Sequence, residues 1–216
     1  MARHRILLVD DHPVVRLGLR QMISQEADLE VCGEAETATA ARGAVEETRP
    51  DLVLVDLSLP DRSGLELVKE LAALGSPPRM LVLSMLDEKL YARRALEAGA
   101  SGYVHKEEAA GELLGAIRRV LAGEVYLSPE MTQLLLRRAV AEEGAESATG
   151  VEALTDRELE VFSLLGEGST TREIARRLRR SVKTIESHRE KIKVKLGIEH
   201  NNELIRRAVE WSLREG

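Results

Sequence analysis

Ile6-Leu7-Leu8-Val9-Asp10-Asp11 sets four consecutive apolar residues directly against two acids. A run this short and this uniformly apolar does not suit an amphipathic surface helix; it reads as a strand buried on both faces that ends in polar residues. The pattern recurs at Leu52-Val53-Leu54-Val55 before Asp56, at Leu81-Val82-Leu83 before Ser84, and at Gly102-Tyr103-Val104 just ahead of Lys106. A further, half-buried strand is expected at Leu29-Glu30-Val31-Cys32-Gly33. Helical segments fall near 13–25, 37–48, 64–74, 88–98 and 107–121, so residues 5–121 alternate strand and helix five times. That alternation predicts an α/β fold with a five-stranded, doubly wound parallel sheet. Ligands of such sheets bind in the crevice beyond the carboxyl ends of the strands, where Asp10, Asp11, Asp56, Ser84 and Lys106 should converge.

Residue type then dictates the chemistry. Three carboxylates around one point suit a hard divalent cation, and Mg²⁺ fits best because it takes oxygen ligands and commonly shares its shell with a phosphoryl group. Bridged between an acceptor carboxylate and incoming phosphoryl oxygens, it would offset their repulsion, with Lys106 adding a second positive charge. The Ser84 hydroxyl has a partner only once a phosphoryl oxygen is present, which makes it a sensor of transfer to an aspartate.

At 216 residues, 44% of them hydrophobic, the chain is long enough for two domains with separate cores. No apolar run approaches the length of a membrane span, and Met1-Ala2-Arg3-His4-Arg5 leads straight into a strand, so the chain reads as cytoplasmic with no membrane partner. The single cysteine, Cys32, excludes an internal disulfide or a thiolate cluster. Aromatics at 2% exclude a base-stacking platform for single-stranded nucleic acid. Charge divides unevenly: 17 basic against 25 acidic residues up to residue 150, then 14 against 12 beyond it. Only the weakly basic C-terminal part suits a polyanion.

Ser128-Pro129 offers an N-cap and a first-turn proline to a linker helix through Leu134, Leu135 and Leu136 that fades near residue 141. Glu142 to Gly150 lacks periodic apolar residues and reads as a flexible tether. The division is therefore 1–121, a linker helix and tether at 122–150, and a C-terminal domain at 151–216. Thr155 with Glu158 and Thr170 with Glu173 have capping-box spacing, and Ser181 precedes the stripe Val182, Ile185, Ile192, Leu196. A fourth helix is expected from an Asn201-Asn202 cap through Leu204, Ile205, Ala208 and Trp211. The segments at 170–178 and 181–195, with about three residues between them, have the spacing of a helix-turn-helix.

Residues 5–121 resemble a response-regulator receiver domain through Asp10-Asp11-His12-Pro13, Asp56-Leu57-Ser58-Leu59-Pro60-Asp61-Arg62-Ser63-Gly64, Leu83-Ser84-Met85 and Gly99-Ala100-Ser101-Gly102-Tyr103-Val104-His105-Lys106. The resemblance implies that Asp56 is the phosphoacceptor. It makes Asp10, Asp11, Asp56 and the Ser58 carbonyl the Mg²⁺ ligands, Ser84 and Tyr103 a switch pair, and Lys106 the phosphate partner. A sensor histidine kinase is the implied donor. Phosphorylation is expected to draw Ser84 inward and let Tyr103 fill the space it leaves.

Leu154-Thr155-Asp156-Arg157-Glu158-Leu159-Glu160-Val161, Ser181-Val182-Lys183-Thr184-Ile185-Glu186-Ser187-His188 and Lys195-Leu196-Gly197 carry a second resemblance, to the LuxR-type helix-turn-helix of the NarL/FixJ response regulators. It implies binding to double-stranded DNA, as a homodimer when phosphorylated. Lys183, Glu186, Ser187 and Glu190 would face base edges, Thr184 and His188 would lie near the backbone, and Arg189, Lys191, Lys193 and Lys195 would supply charge. Arg180 stands where the family usually has an apolar residue, so either the turn packs differently or this arginine has become a phosphate contact, and Arg179 beside it favours the second. Two other readings use the same residues. An aspartate-based phosphohydrolase would share the acid site but lacks a second acid two residues after Asp56, where Ser58 stands. A phosphorylation-independent regulator would keep the fold alone.

Overall fold

The structure is a computed structural model that describes residues 3–141, 150–178 and 180–215. The chain forms two compact units, Met1–Arg138 and Ala139–Gly216.

The first unit alternates β1 (His4–Val9), α1 (Pro13–Ser24), β2 (Leu29–Ala35), α2 (Ala38–Thr48), β3 (Leu52–Val55), α3 (Gly64–Ala72), β4 (Arg79–Ser84), α4 (Glu88–Ala98), β5 (Gly102–His105) and α5 (Ala109–Leu121). All strand pairs are parallel, in the order β2-β1-β3-β4-β5. Alternate residues Ile6, Leu8, Leu52, Leu54, Leu81 and Leu83 form one core with Leu19, Ile23, Leu113 and Ile117 of α1 and α5. Leu7, Val9, Val53, Val55 and Val82, equally buried, turn to the opposite face. Burial on both faces explains why these strands are short and continuously apolar. The chain order reverses at β1 and β3, so the crevice opens at the residues that end those two strands.

Two glycines set close approaches. A Cβ on Gly64 would lie 2.2 Å from the Asp56 carbonyl oxygen, so only glycine lets α3 start against the Asp56 main chain. One on Gly102 would lie 2.5 Å from the Tyr126 carbonyl, where Tyr126 flanks β5: the Tyr103 N–H donates to Tyr126 O (2.9 Å) and the Tyr126 N–H to Ser101 O (3.0 Å). Beyond Tyr126 the expected linker helix, α6 (Pro129–Ala141), is capped by Ser128, whose hydroxyl oxygen accepts from Met131 N at 3.1 Å. The Ser128 N–H in turn donates to Glu88 of α4 at 3.0 Å. The expected tether lies, apart from Gly150, outside the described residues.

From Gly150 on, the described residues of the second unit form a single 3₁₀ turn (Gly150–Ala153), then α7 (Asp156–Gly166), α8 (Thr171–Arg177), α9 (Val182–Leu196) and α10 (Asn201–Glu215). Thr155 with Glu158 and Thr170 with Glu173 form reciprocal capping boxes. Ser181 Oγ accepts from Thr184 N at 3.0 Å. Leu159, Phe162, Ile174, Ile185, Ile192, Leu204 and Ala208 make the core, and Phe162 packs on Trp211 with ring centroids 5.4 Å apart. Two sequence expectations need correction. Val182, the first residue of an apolar stripe whose members are expected to face the core, is 39% exposed, because it directly follows the cap at the open end of α9. Asn201 and Asn202 lie inside α10 instead of capping it; the His200 carbonyl accepts from Glu203 N and Leu204 N.

Candidate functional site

Asp10 follows β1 and Asp56 follows β3, and both are almost fully buried. The Asp10 N–H donates to Ala35 O (3.1 Å), and the Asp56 N–H to Val9 O (2.8 Å), so the parallel ladder itself brings the two acids side by side. Asp56 Oδ1 accepts from Ser58 N at 3.1 Å, which folds the following loop back over the carboxylate. Lys106 enters from beyond β5, its N–H bound to Ser84 O at 2.9 Å, and its Nζ lies 2.7 Å from both Asp56 Oδ2 and Asp10 Oδ2.

The electrostatics follow from burial. Desolvation pushes the Asp56 carboxyl above the usual carboxylate range, against the pull of Lys106. Burial also opposes the Lys106 charge, but Asp56 and Asp10 outweigh it and lift its ammonium above the usual lysine range.

Ligand atoms of Asp10, Asp11, His12 and Asp56 all lie within 4.8 Å of one another. Asp10 Oδ2 and Asp11 Oδ1 are buried, and each meets a side-chain nitrogen, Lys106 Nζ at 2.7 Å and His12 Nδ1 at 2.8 Å. Carboxylate oxygens packed this closely are the donor set a hard divalent cation requires, so the residues present fit Mg²⁺. His12 was not singled out in the sequence; its Nδ1 stands 2.8 Å from Asp11 Oδ1 and 3.1 Å from Asp10 Oδ1.

Ser84 and Tyr103 meet through one peptide. Ser84 Oγ accepts from Leu86 N (3.3 Å), and the Tyr103 hydroxyl donates to Leu86 O (2.5 Å). Both side chains are buried, with the ring of Tyr103 turned inward. A buried phenol needs an acceptor, and the Leu86 carbonyl provides one. Arg16 and Asp61 were also passed over in the sequence. Arg16 NH1 donates to Asp10 O (2.6 Å). Asp61 accepts from Ala38 N and Thr39 N, both at 3.0 Å, at the start of α2.

On α9, Lys183, Glu186, Ser187, Glu190 and Lys191 are exposed. Thr184 Oγ1 joins the Ser181 cap at 2.8 Å. His188 is half-buried, its Nδ1 unpartnered; burial, then the Lys191 cation, holds it below the usual histidine range. Arg189 donates to Thr171 Oγ1, and Lys193 pairs with Glu190 at 2.9 Å. Lys195 is turned inward, its Nζ 2.6 Å from the buried Glu158 carboxylate and 3.2 Å from Ala153 O. Arg180 is exposed in the turn between α8 and α9, and Arg179 lies outside the described residues.

A parallel sheet with a buried acid cluster at its β1/β3 switch point, joined to a capped four-helix unit, defines a phosphorelay receiver with a DNA-binding partner domain. Residues 6–118 match the family described as response regulator receiver domain, and residues 152–208 match bacterial regulatory proteins of the luxR family. The chain belongs to the LuxR-type response regulators and is a two-component response regulator acting as a transcription factor. It is 35% identical to oxygen regulatory protein NreC of Staphylococcus aureus over 215 residues, 98% of this chain and 99% of that protein. A LuxR-family two-component response regulator from Aurantimonas sp. SI85-9A1 is 39% identical, covering 64% of this chain and 99% of its own, with a TM-score of 0.60. RcsB from Salmonella enterica serovar Typhimurium, solved on promoter rprA with the phosphomimetic BeF3⁻, is 28% identical over 94% of this chain and 97% of its own, with a TM-score of 0.63. Among the described residues no helix is long and apolar enough to cross a membrane.

Proposed function

We propose that Asp56 accepts a phosphoryl group from the phosphohistidine of a sensor histidine kinase, and that this controls dimerisation and sequence-specific binding to double-stranded DNA. The observation that carries this reading is Lys106 Nζ at 2.7 Å from both Asp56 and Asp10, a cation held inside a buried carboxylate cluster. An Asp56 oxygen forms the bond to phosphorus as the P–N bond breaks, and the electron pair returns to the imidazole, which takes up a proton. Asp10, Asp11, Asp56 and the Ser58 carbonyl would hold Mg²⁺, which when bound supplies positive charge against the carboxylate and phosphoryl oxygens. Lys106 then pairs with the phosphoryl group. The Ser84 O–H donates to it, at the expense of the long 3.3 Å contact with Leu86 N. Because the Leu86 carbonyl also holds Tyr103, the turn before α4 moves with Ser84.

The division proposed is a receiver at 1–121, a linker at 122–150 and a DNA-binding domain at 151–216. It is supported by family matches over 6–118 and 152–208. The helix α9 would enter the major groove by its N-terminal end, with Lys183, Glu186 and Ser187 toward bases and Thr184, His188, Lys191 and Arg180 toward the backbone. Arg189 and Lys195 complete the basic set, in positions where each already holds a partner. RcsB, bound to a promoter with a phosphomimetic, supports DNA as the partner here. Such a regulator works in the cytoplasm and is a phosphoacceptor, not a turnover enzyme.

Intact mass after incubation with Mg²⁺ and acetyl phosphate tests the reading. The native chain should gain one phosphoryl adduct that Asp56→Ala lacks. No adduct on the native chain would leave the phosphorylation-independent regulator, and multiple-turnover hydrolysis of small phosphate esters would favour the phosphohydrolase.

A further inference from the structure

Arg16, on the second turn of α1, is 7% exposed, and its guanidinium is spread over three acceptors. Its Nε donates to Glu34 Oε2 (3.2 Å), NH2 to Glu36 Oε1 (2.5 Å) and NH1 to the main-chain oxygen of Asp10 (2.6 Å). The two glutamates lie at and just beyond the end of β2, so the side chain ties the β1–α1 turn to the neighbouring strand. Removing an arginine from water is costly, and its carboxylate partners offset that cost only where its remaining N–H groups are bonded as well. The third bond is what reaches the acid site.

Asp10 has four polar atoms, and three of them are held. Its N–H donates to Ala35 O (3.1 Å), its carbonyl accepts from Arg16 (2.6 Å) and its Oδ1 accepts from His12 N (2.8 Å). The fourth, Oδ2, is held by no donor of the turn: it meets Lys106 Nζ at 2.7 Å and faces the other acids. Like charges this close repel, and an untethered turn would let Asp10 and Asp11 swing apart into solvent. We infer that Arg16 is a positioning residue of the acid site: by holding the Asp10 carbonyl it fixes the β1–α1 turn so that the Asp10 and Asp11 carboxylates stay converged for a divalent cation.

This inference rests on the reading of the acid cluster as a cation site, and the test separates the two. Mn²⁺ alone, whose free form is counted by its paramagnetic signal, is titrated into the full native chain and into Arg16→Met, Arg16→Lys, Arg20→Met and Asp11→Asn. Arg20 also grips Glu34, from the same helix, but none of its hydrogen bonds reaches Asp10, so its loss weakens the clamp without freeing the turn. Outer-shell partners of metal ligands are typically worth ten- to a hundredfold in metal affinity, so Arg16→Met should bind Mn²⁺ about tenfold more weakly. Arg16→Lys keeps the charge but not the fork, and should fall between it and the native chain. Arg20→Met should bind as the native chain does. Native affinity in both Arg16 variants, or an equal loss in Arg16→Met and Arg20→Met, would overturn the inference and leave Arg16 a structural clamp. A native chain that binds no better than Asp11→Asn would overturn the cation site itself, and the inference with it. If Arg16→Met does not fold, Arg16→Lys against Arg20→Met decides.

Discussion

The ammonium of Lys106 lies 2.7 Å from Asp56 Oδ2, although the two residues are 50 positions apart in the chain. Breaking a buried pair by removing one partner leaves an uncompensated charge, which costs about 3–5 kcal/mol. Lys106→Met should therefore lower stability by about that amount in metal-free buffer, and millimolar Mg²⁺ should restore part of it by taking over the positive charge. Urea unfolding with and without Mg²⁺ reads both effects. Unchanged stability without metal would mean the pair contributes nothing.

Tyr103 is buried with its hydroxyl committed to Leu86 O. Tyr103→Phe should cost about 1 kcal/mol, the net worth of one hydrogen bond, or somewhat more because Leu86 O loses its partner. Phosphoryl uptake should continue at the native rate, since the hydroxyl does not touch the acids, while the response of DNA affinity to phosphorylation should shrink. Native coupling in this variant would remove Tyr103 from the switch.

Asp61 gives the receiver an acid sensitivity that is not part of its chemistry. Burial would raise its carboxyl, but the Thr39 hydroxyl and the N–H groups of Thr39 and Ala38 outweigh this and bring it from 3.8 to about 2. A depressed folded-state value means that the contribution is fully present above pH 4 and is lost as pH falls toward 2. Allowing for partial solvent screening, it amounts to roughly 1–2 kcal/mol. Asp61→Asn should flatten the stability profile across that window, as followed by urea midpoints; a profile parallel to the native one would rule the cap out.

Glu186 is an acid on the exposed face of α9. A carboxylate repels phosphates but accepts from a cytosine amino group, so it favours selectivity over non-specific affinity. Glu186→Ala should change which sequences a random DNA pool yields more than it changes affinity overall. A uniform shift across all sequences would contradict this role.

Legibility in the sequence followed the range of the interaction. The strands at Ile6–Val9 and Leu52–Val55 could be read because burial on both faces leaves an unbroken apolar run, and the acids could be read because they end those strands. Thr155 and Thr170 announced their helices because capping is local, set by residues three apart. Arg16 looked like any charged helix residue, since Glu34 and Glu36 lie 18 and 20 positions away. Lys195 likewise read as a free cation because its partner Glu158 is 37 positions away, across the helical unit. The Leu86 peptide that joins Ser84 to Tyr103 acts through main-chain atoms, which no side-chain pattern reveals. Asn201 misled for a local reason: two asparagines look like a cap, but the chain turns one residue earlier.

The most direct test of phosphorylation as the switch is DNA affinity of the full chain before and after treatment with Mg²⁺ and acetyl phosphate. It uses a fragment selected from a random pool and runs the native chain beside Asp56→Ala, with the adduct counted by mass in the same samples. Coupling between two sites commonly spans 5- to 150-fold, so the native affinity should change by about tenfold as the adduct forms, while Asp56→Ala stays constant. A native chain that carries the adduct with unchanged affinity, or an Asp56→Ala chain that responds equally, would contradict it.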